Sequence, residues 1–145
     1  MGFQEAVRTV LSKYIVIEGR ARRAEYWYFV LFGLIGGIVL GALDGILFGG
    51  TEMTPISSLF SLVLFIPSIT VGVRRLHDRD MSGWWMLLMI VPIIGVIALL
   101  IIFALRGTDG TNRFGPDPLV DGGDDWSTPD EGNYADSSIP KVDRD

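Results

Sequence analysis

The chain has 145 residues, 49% of them apolar and only 20% charged, with a mean hydropathy of +0.40. That length suits one domain, and the apolar residues fall into three blocks that a soluble domain of this size cannot bury, which excludes a water-soluble enzyme. No cysteine is present, so disulfides, thiol nucleophiles and thiolate metal sites are excluded, and the net charge of -5 is unevenly spread: residues 1–118 carry ten Lys/Arg and nine Asp/Glu, residues 119–145 two and eight.

Taken in order, residues 3–16 place Phe3, Ala6, Val7, Val10, Leu11 and Tyr14 at spacings of three and four, with polar residues between them. That spacing predicts an amphipathic helix, either lying flat at a membrane interface or packed on the rest of the protein. Arg20, Arg22 and Arg23 then precede the first apolar run, residues 26–47. Its length gives about 33 Å of helix, enough for a bilayer core of about 30 Å. The run is too long, starts too late and lacks the small-residue cleavage site of a signal peptide. Ala6 also stands where a myristoylation signal needs Ser or Thr.

Within this run Gly33, Gly37, Gly41 and Gly45 recur every four residues. Overlapping GxxxG patterns predict a face for close helix packing, within the chain or between copies. Asp44 lies a turn from the end of the run, where it meets headgroup water or, less simply, belongs to an ion pathway.

A short turn over 48–55 leads to the second run, 56–73, which contains Pro67. A proline there frees a carbonyl, and a membrane helix tolerates it when a neighbour re-satisfies that group. Arg74, Arg75, Leu76, His77, Asp78, Arg79 and Asp80 read as an abrupt polar loop. The third run, 84–105, opens with Trp84 and Trp85, suited to the interfacial belt. Pro92 and Gly95 near its middle imply a kink or a re-entrant hairpin. From Thr108 to Pro118 the residues are those of turns, and 119–145 hold too few apolar groups to offset ordering entropy, which reads as a disordered acidic tail.

Three crossings would put eight of the ten basic residues of 1–118 on one side and Arg106 and Arg113 on the other. By the positive-inside rule the N-terminus is cytoplasmic and the tail outside. The fold class expected is all-α: a membrane domain over 1–118 with spans near 26–47, 56–73 and 84–105, an interfacial N-terminal helix, and the tail over 119–145.

Four motifs follow one another: 19–27 (GRARRAEYW), 74–78 (RRLHD), 82–85 (SGWW) and 112–118 (NRFGPDP). In that order they resemble the small bacterial inner-membrane proteins catalogued as domain of unknown function 805, over roughly residues 10–118. Ile17 stands where an aromatic is common, and the acidic tail extends past the usual end. The resemblance implies a multi-pass protein of the bacterial plasma membrane and supplies no biochemical activity.

Arg20, Arg22, Arg23 and Glu25 precede the first span, and Arg74, Arg75, His77 and Asp78 follow the second, so both groups fall at one membrane depth. Such a cluster either holds a phosphate headgroup in arginine forks, with His77 and Asp78 available for proton transfer, or forms a structural polar seam of topology anchors and their carboxylate partners. His77 is the sole histidine, and Asp78 and Asp80 are too close in sequence to converge on one ion, so no metal and no cofactor are expected. G-x-S-x-G and a phosphate loop are absent from the sequence, and a nucleic-acid face would need basic and stacking aromatic residues together. The reading is a non-catalytic membrane component that binds lipid headgroups or a membrane partner, with self-association as an option. The alternative is a small membrane enzyme or transport subunit for an anionic or phosphorylated substrate.

Overall fold

The computed structural model describes residues 1–49 and 53–120. Four α-helices and one 3-10 helix make up the described chain: α1 Phe3–Ser12, α2 Arg23–Leu47, α3 Pro55–Asp78, a 3-10 helix Gly83–Ile90, and α4 Ile94–Ala104. The all-α expectation holds. The expected disordered tail, Leu119 and Val120 apart, lies outside the described residues.

Two helices are long and apolar enough to cross a membrane, α2 and α3. Their side chains support that role, because Ile38 is 64%, Ile46 78% and Leu62 69% exposed within the fold. In water such surface would drive association; in lipid it is the face the solvent wants. A smaller shared core lies between α1, α2 and α3, where Val10, Ala21, Phe29, Leu64 and Val71 are buried. Helix α1 packs there through Ala6 and Val10 rather than resting on the surface alone.

α3 continues over Pro67 without a break. The proline cannot donate to the carbonyl of Val63 four residues earlier, and the hydroxyl of Tyr14 donates to that carbonyl instead. The neighbour that re-satisfies the freed group is thus the residue just past α1. α3 also runs on through Asp78, so residues 74–78 are its last turn and not part of a polar loop. The charges stay helical because they pair with one another and with α2.

At the other end, Asp44 meets no headgroup water; it is fully buried. Its carboxylate accepts from the backbone N–H of Ile56 at 3.1 Å, and from the N–H and hydroxyl of Ser57 at 2.8 Å each. Thr54, at the N-cap of α3, makes no side-chain capping hydrogen bond to the backbone, so a carboxylate from α2 fills the role a capping residue normally plays.

The glycine ridge is only partly a packing face within the chain. A Cβ at Gly33 would meet Leu64 at 3.7 Å, whereas nothing lies within 4 Å of one at Gly37, Gly41 or Gly45. Gly36, outside the repeat, makes room for a side chain of α3, since a Cβ there would overlap the Phe60 ring. A repeat of four residues on a helix of 3.6 per turn drifts by about 40° at each step, so the later glycines rotate off the α3-facing side.

The expected span over 84–105 is not one continuous helix but two short limbs broken near Pro92, the position where a kink or hairpin was expected. The 3-10 limb is about 16 Å long and α4 about 17 Å, each roughly half of a bilayer core. Pro92 interrupts the hydrogen-bond ladder, and Ile93 turns the chain with a φ of +66°. Gly95 lets the limbs touch, because a Cβ there would overlap the backbone carbonyl of Leu88. Both ends of the run return to the C-terminal end of α3. Val73 and His77 border Gly83, while Arg75 donates from Nε to the Phe103 carbonyl at 3.1 Å and from Nη2 to that of Leu105. The run therefore does not carry Arg106 and Arg113 to the opposite end of α2 and α3, as a single crossing helix would.

Candidate functional site: a basic seam at one end of the helices

The seam is built where the start of α2, the end of α3 and the segment after α4 meet. Arg74 Nη1 lies 2.7 Å from Glu25 Oε1, both side chains being at most 4% exposed. This ion pair joins α3 to the first turn of α2, although its alignment falls outside hydrogen-bond geometry. Asp78 takes two partners: Arg20, whose Nε and Nη2 both lie 3.0 Å from Oδ1, and Arg75, which reaches Oδ2. Two guanidiniums around one buried carboxylate leave a local excess of positive charge, part of which the carbonyls of Phe103 and Leu105 offset at the C-terminal end of α4.

Arg20 also gathers the segment that follows α4. Its Nη1 donates to the Gly110 carbonyl at 2.6 Å and its Nη2 to that of Thr108 at 2.6 Å. Asn112 donates to the His77 carbonyl at 2.9 Å, and Thr108 N–H to that of Asp78 at 2.8 Å. Asp117 accepts from the N–H of Leu119 at 2.9 Å and of Gly110 at 3.0 Å. Those donors hold its carboxyl below the usual carboxylate range. Asn112, Phe114 and Asp117 were legible in sequence only as turn residues, and they prove to be the clamp that fixes this segment under the helices.

His77 is part of that clamp. Its ring stacks on Phe114 with centroids 3.9 Å apart and planes 4° from parallel, and its Nδ1 lies 3.2 Å from the Gly19 carbonyl. Arg113 covers the other part of the Phe114 ring at 4.8 Å. The imidazole is packed as a structural element, and it does not line the pocket described next.

The eight candidate residues therefore divide. Arg20, Glu25, Arg74, Arg75, His77 and Asp78 are buried and engaged with one another or with backbone. Arg22 and Arg23 stand apart. They line, with Arg75, Asp78, Arg106 and Leu119, a pocket of about 330 Å³. Among the described residues Arg22 and Arg23 form no ion pair, Arg23 making only a long 3.5 Å contact with the Ala104 carbonyl. Arg106 pairs with Asp109 at 2.7 Å, both well exposed, an arrangement easily exchanged for another anion. Arg22 is also the N-cap of α2 and offers its first turn no side-chain acceptor, so the helix dipole adds positive potential beside the pocket that Arg22, Arg23 and Ala24 line. Three arginines able to fork and an uncapped helix start can hold a phosphate or carboxylate.

The chain is 46% identical to the inner membrane protein YhaI of Escherichia coli K12 over 110 residues, covering 76% of this chain and 92% of YhaI. It is 42% identical to the inner membrane protein YhaH of the same strain over 116 residues, covering 77% and 94%. The uncharacterized protein YiiR of that strain is 30% identical over 127 residues, covering 69% and 84%. No solved structure matches. Residues 14–116, which begin at the tyrosine supporting Pro67 and end one residue before Asp117, match the family described as "Protein of unknown function (DUF805)", and the chain belongs to that family of bacterial inner-membrane proteins.

Proposed function

We propose that this protein is a non-catalytic component of the inner membrane that binds the phosphate of an anionic lipid headgroup in its arginine pocket. The observation that carries this reading is the division of the seam. Among the described residues the one carboxylate lining the pocket, Asp78, is already held by Arg20 and Arg75, so Arg22 and Arg23 present uncompensated charge to a cavity of about 330 Å³, a size suited to a small ligand, and Arg106, in an exposed pair with Asp109, stands at its rim. In detergent, phosphatidylglycerol should raise the thermal midpoint of the full chain, because a ligand that binds only the folded state stabilises it. Phosphatidylcholine should not. Exchanging Arg22 and Arg23 together for glutamine should abolish the difference; equal stabilisation of the double variant and the parent would reject the reading.

The same proposal places both ends of the membrane domain in the cytoplasm, with α2 and α3 crossing and the 3-10 limb and α4 forming a re-entrant hairpin. Two crossings leave all ten basic residues of 1–118 on one side, since residues 48–54 contain none, a stronger positive-inside bias than three crossings give. A phosphatase fused after Asp145 should be inactive and a fluorescent protein at the same place bright. The reverse pattern would mean that the third run crosses.

A further inference from the structure

We infer that the apolar groove between α1 and α2 receives an acyl chain of the lipid whose phosphate sits in the arginine pocket. This rests on the headgroup reading above and adds the class of molecule, a phospholipid rather than a free anion. The groove encloses about 630 Å³ and is lined by Phe3, Val7 and Leu11 of α1 and by Phe32 of α2, with polar atoms only from Gln4, Arg8 and Ser12 along its edge.

The two cavities are neighbours along both helices. On α2, Ala24 borders the arginine pocket and Phe32 the groove. They are eight residues apart, about 12 Å along the axis and about 80° around it, with Tyr28 between them. On α1, Met1 borders the pocket and Phe3 the groove, and the Phe3 ring meets Tyr28 edge-on at 6.0 Å. A phosphate at Arg22 and Arg23 therefore has an apolar groove within about three turns of α2, a separation that one acyl chain of a phospholipid spans. A free phosphate would have no use for that groove, and a polar peptide would find few partners in it.

The groove does not draw the chain by the hydrophobic effect, since lipid is equally apolar. Its contribution is fit and orientation, and affinity comes from the arginines. The test uses the full chain in nanodiscs containing phosphatidylglycerol with a photoactivatable diazirine in one acyl chain. Cross-links should concentrate on residues 3–11 and 28–32 rather than on the lipid-facing residues of α3 such as Leu59 and Leu62. A phosphatidylcholine probe of the same chain should label both regions alike. The Arg22→Gln/Arg23→Gln variant should lose the concentration, and Val7→Trp, which fills the groove, should lower groove labelling about fivefold, a difference of about 1 kcal/mol. Even labelling of α1, α2 and α3 by the anionic probe, in a protein that phosphatidylglycerol still stabilises, would overturn the groove and leave the headgroup site standing. No stabilisation by phosphatidylglycerol and no preferential labelling would overturn both.

Discussion

Asp78→Asn is expected to destabilise the protein by about 3–5 kcal/mol, the usual effect of removing one member of a buried ion pair. The side chains of Arg20, Arg75 and Asp78 are 2%, 0% and 7% exposed, so neither guanidinium can turn to water for compensation. The amide that replaces the carboxylate keeps the shape and loses the charge, which isolates electrostatics from packing. The loss should be visible as an early midpoint in thermal unfolding in mild detergent. Asp109→Asn, at the exposed pair with Arg106, should leave the midpoint where it was. If the two variants melt alike, Asp78 is not the counter-charge of the seam.

Gly95→Ala should act on the hairpin instead. A single methyl there collides with the backbone carbonyl of Leu88, and backbone cannot move aside as a side-chain tip can. Overpacking of this kind costs about 3 kcal/mol at the upper end of its usual range. Separation of the limbs should be read as new protease cleavage between Val91 and Ile94 and a lower midpoint. Gly37→Ala, with nothing within 4 Å of the added atom, is the matched control, and equal behaviour of the two would remove the argument for contact between the limbs.

Much of the fold was legible because it depends on patterns along the chain. The three-and-four spacing of Phe3, Val7 and Val10 marks α1, and two long apolar runs mark α2 and α3. The arginine, glutamate and aspartate motifs were expected at one depth, since residues that precede the first of two antiparallel helices and follow the second lie at the same end of the pair. What was not legible depends on rotation and pairing. Spacing alone picks Gly37, Gly41 and Gly45 as well as Gly33, but which face α3 takes is fixed by Phe29, Gly36 and Asp44, and no periodicity reveals that Asp44 will find the open amides of α3. The third run has the length and apolarity of a span, and Pro92 and Gly95 left a kink and a re-entrant hairpin equally open. Only the contact at Gly95 and the capture of the Phe103 and Leu105 carbonyls by Arg75 show that it doubles back. The separation of structural from available arginines was equally hidden, because it depends on which carbonyls the returning segment offers.

The carboxylate that Asp44 lends to α3 has a consequence for how the protein enters the membrane. α2 released alone into lipid would carry an unneutralised side chain into a medium that solvates it poorly, and α3 alone would present the amides of Ile56 and Ser57 without acceptors. Each helix supplies what the other lacks, and only a few residues connect them. On the topology proposed above, the two would leave the insertion machinery as a pair already joined at one end, and the arginine-rich motifs at the other end of the helices would be brought into register by that distant contact.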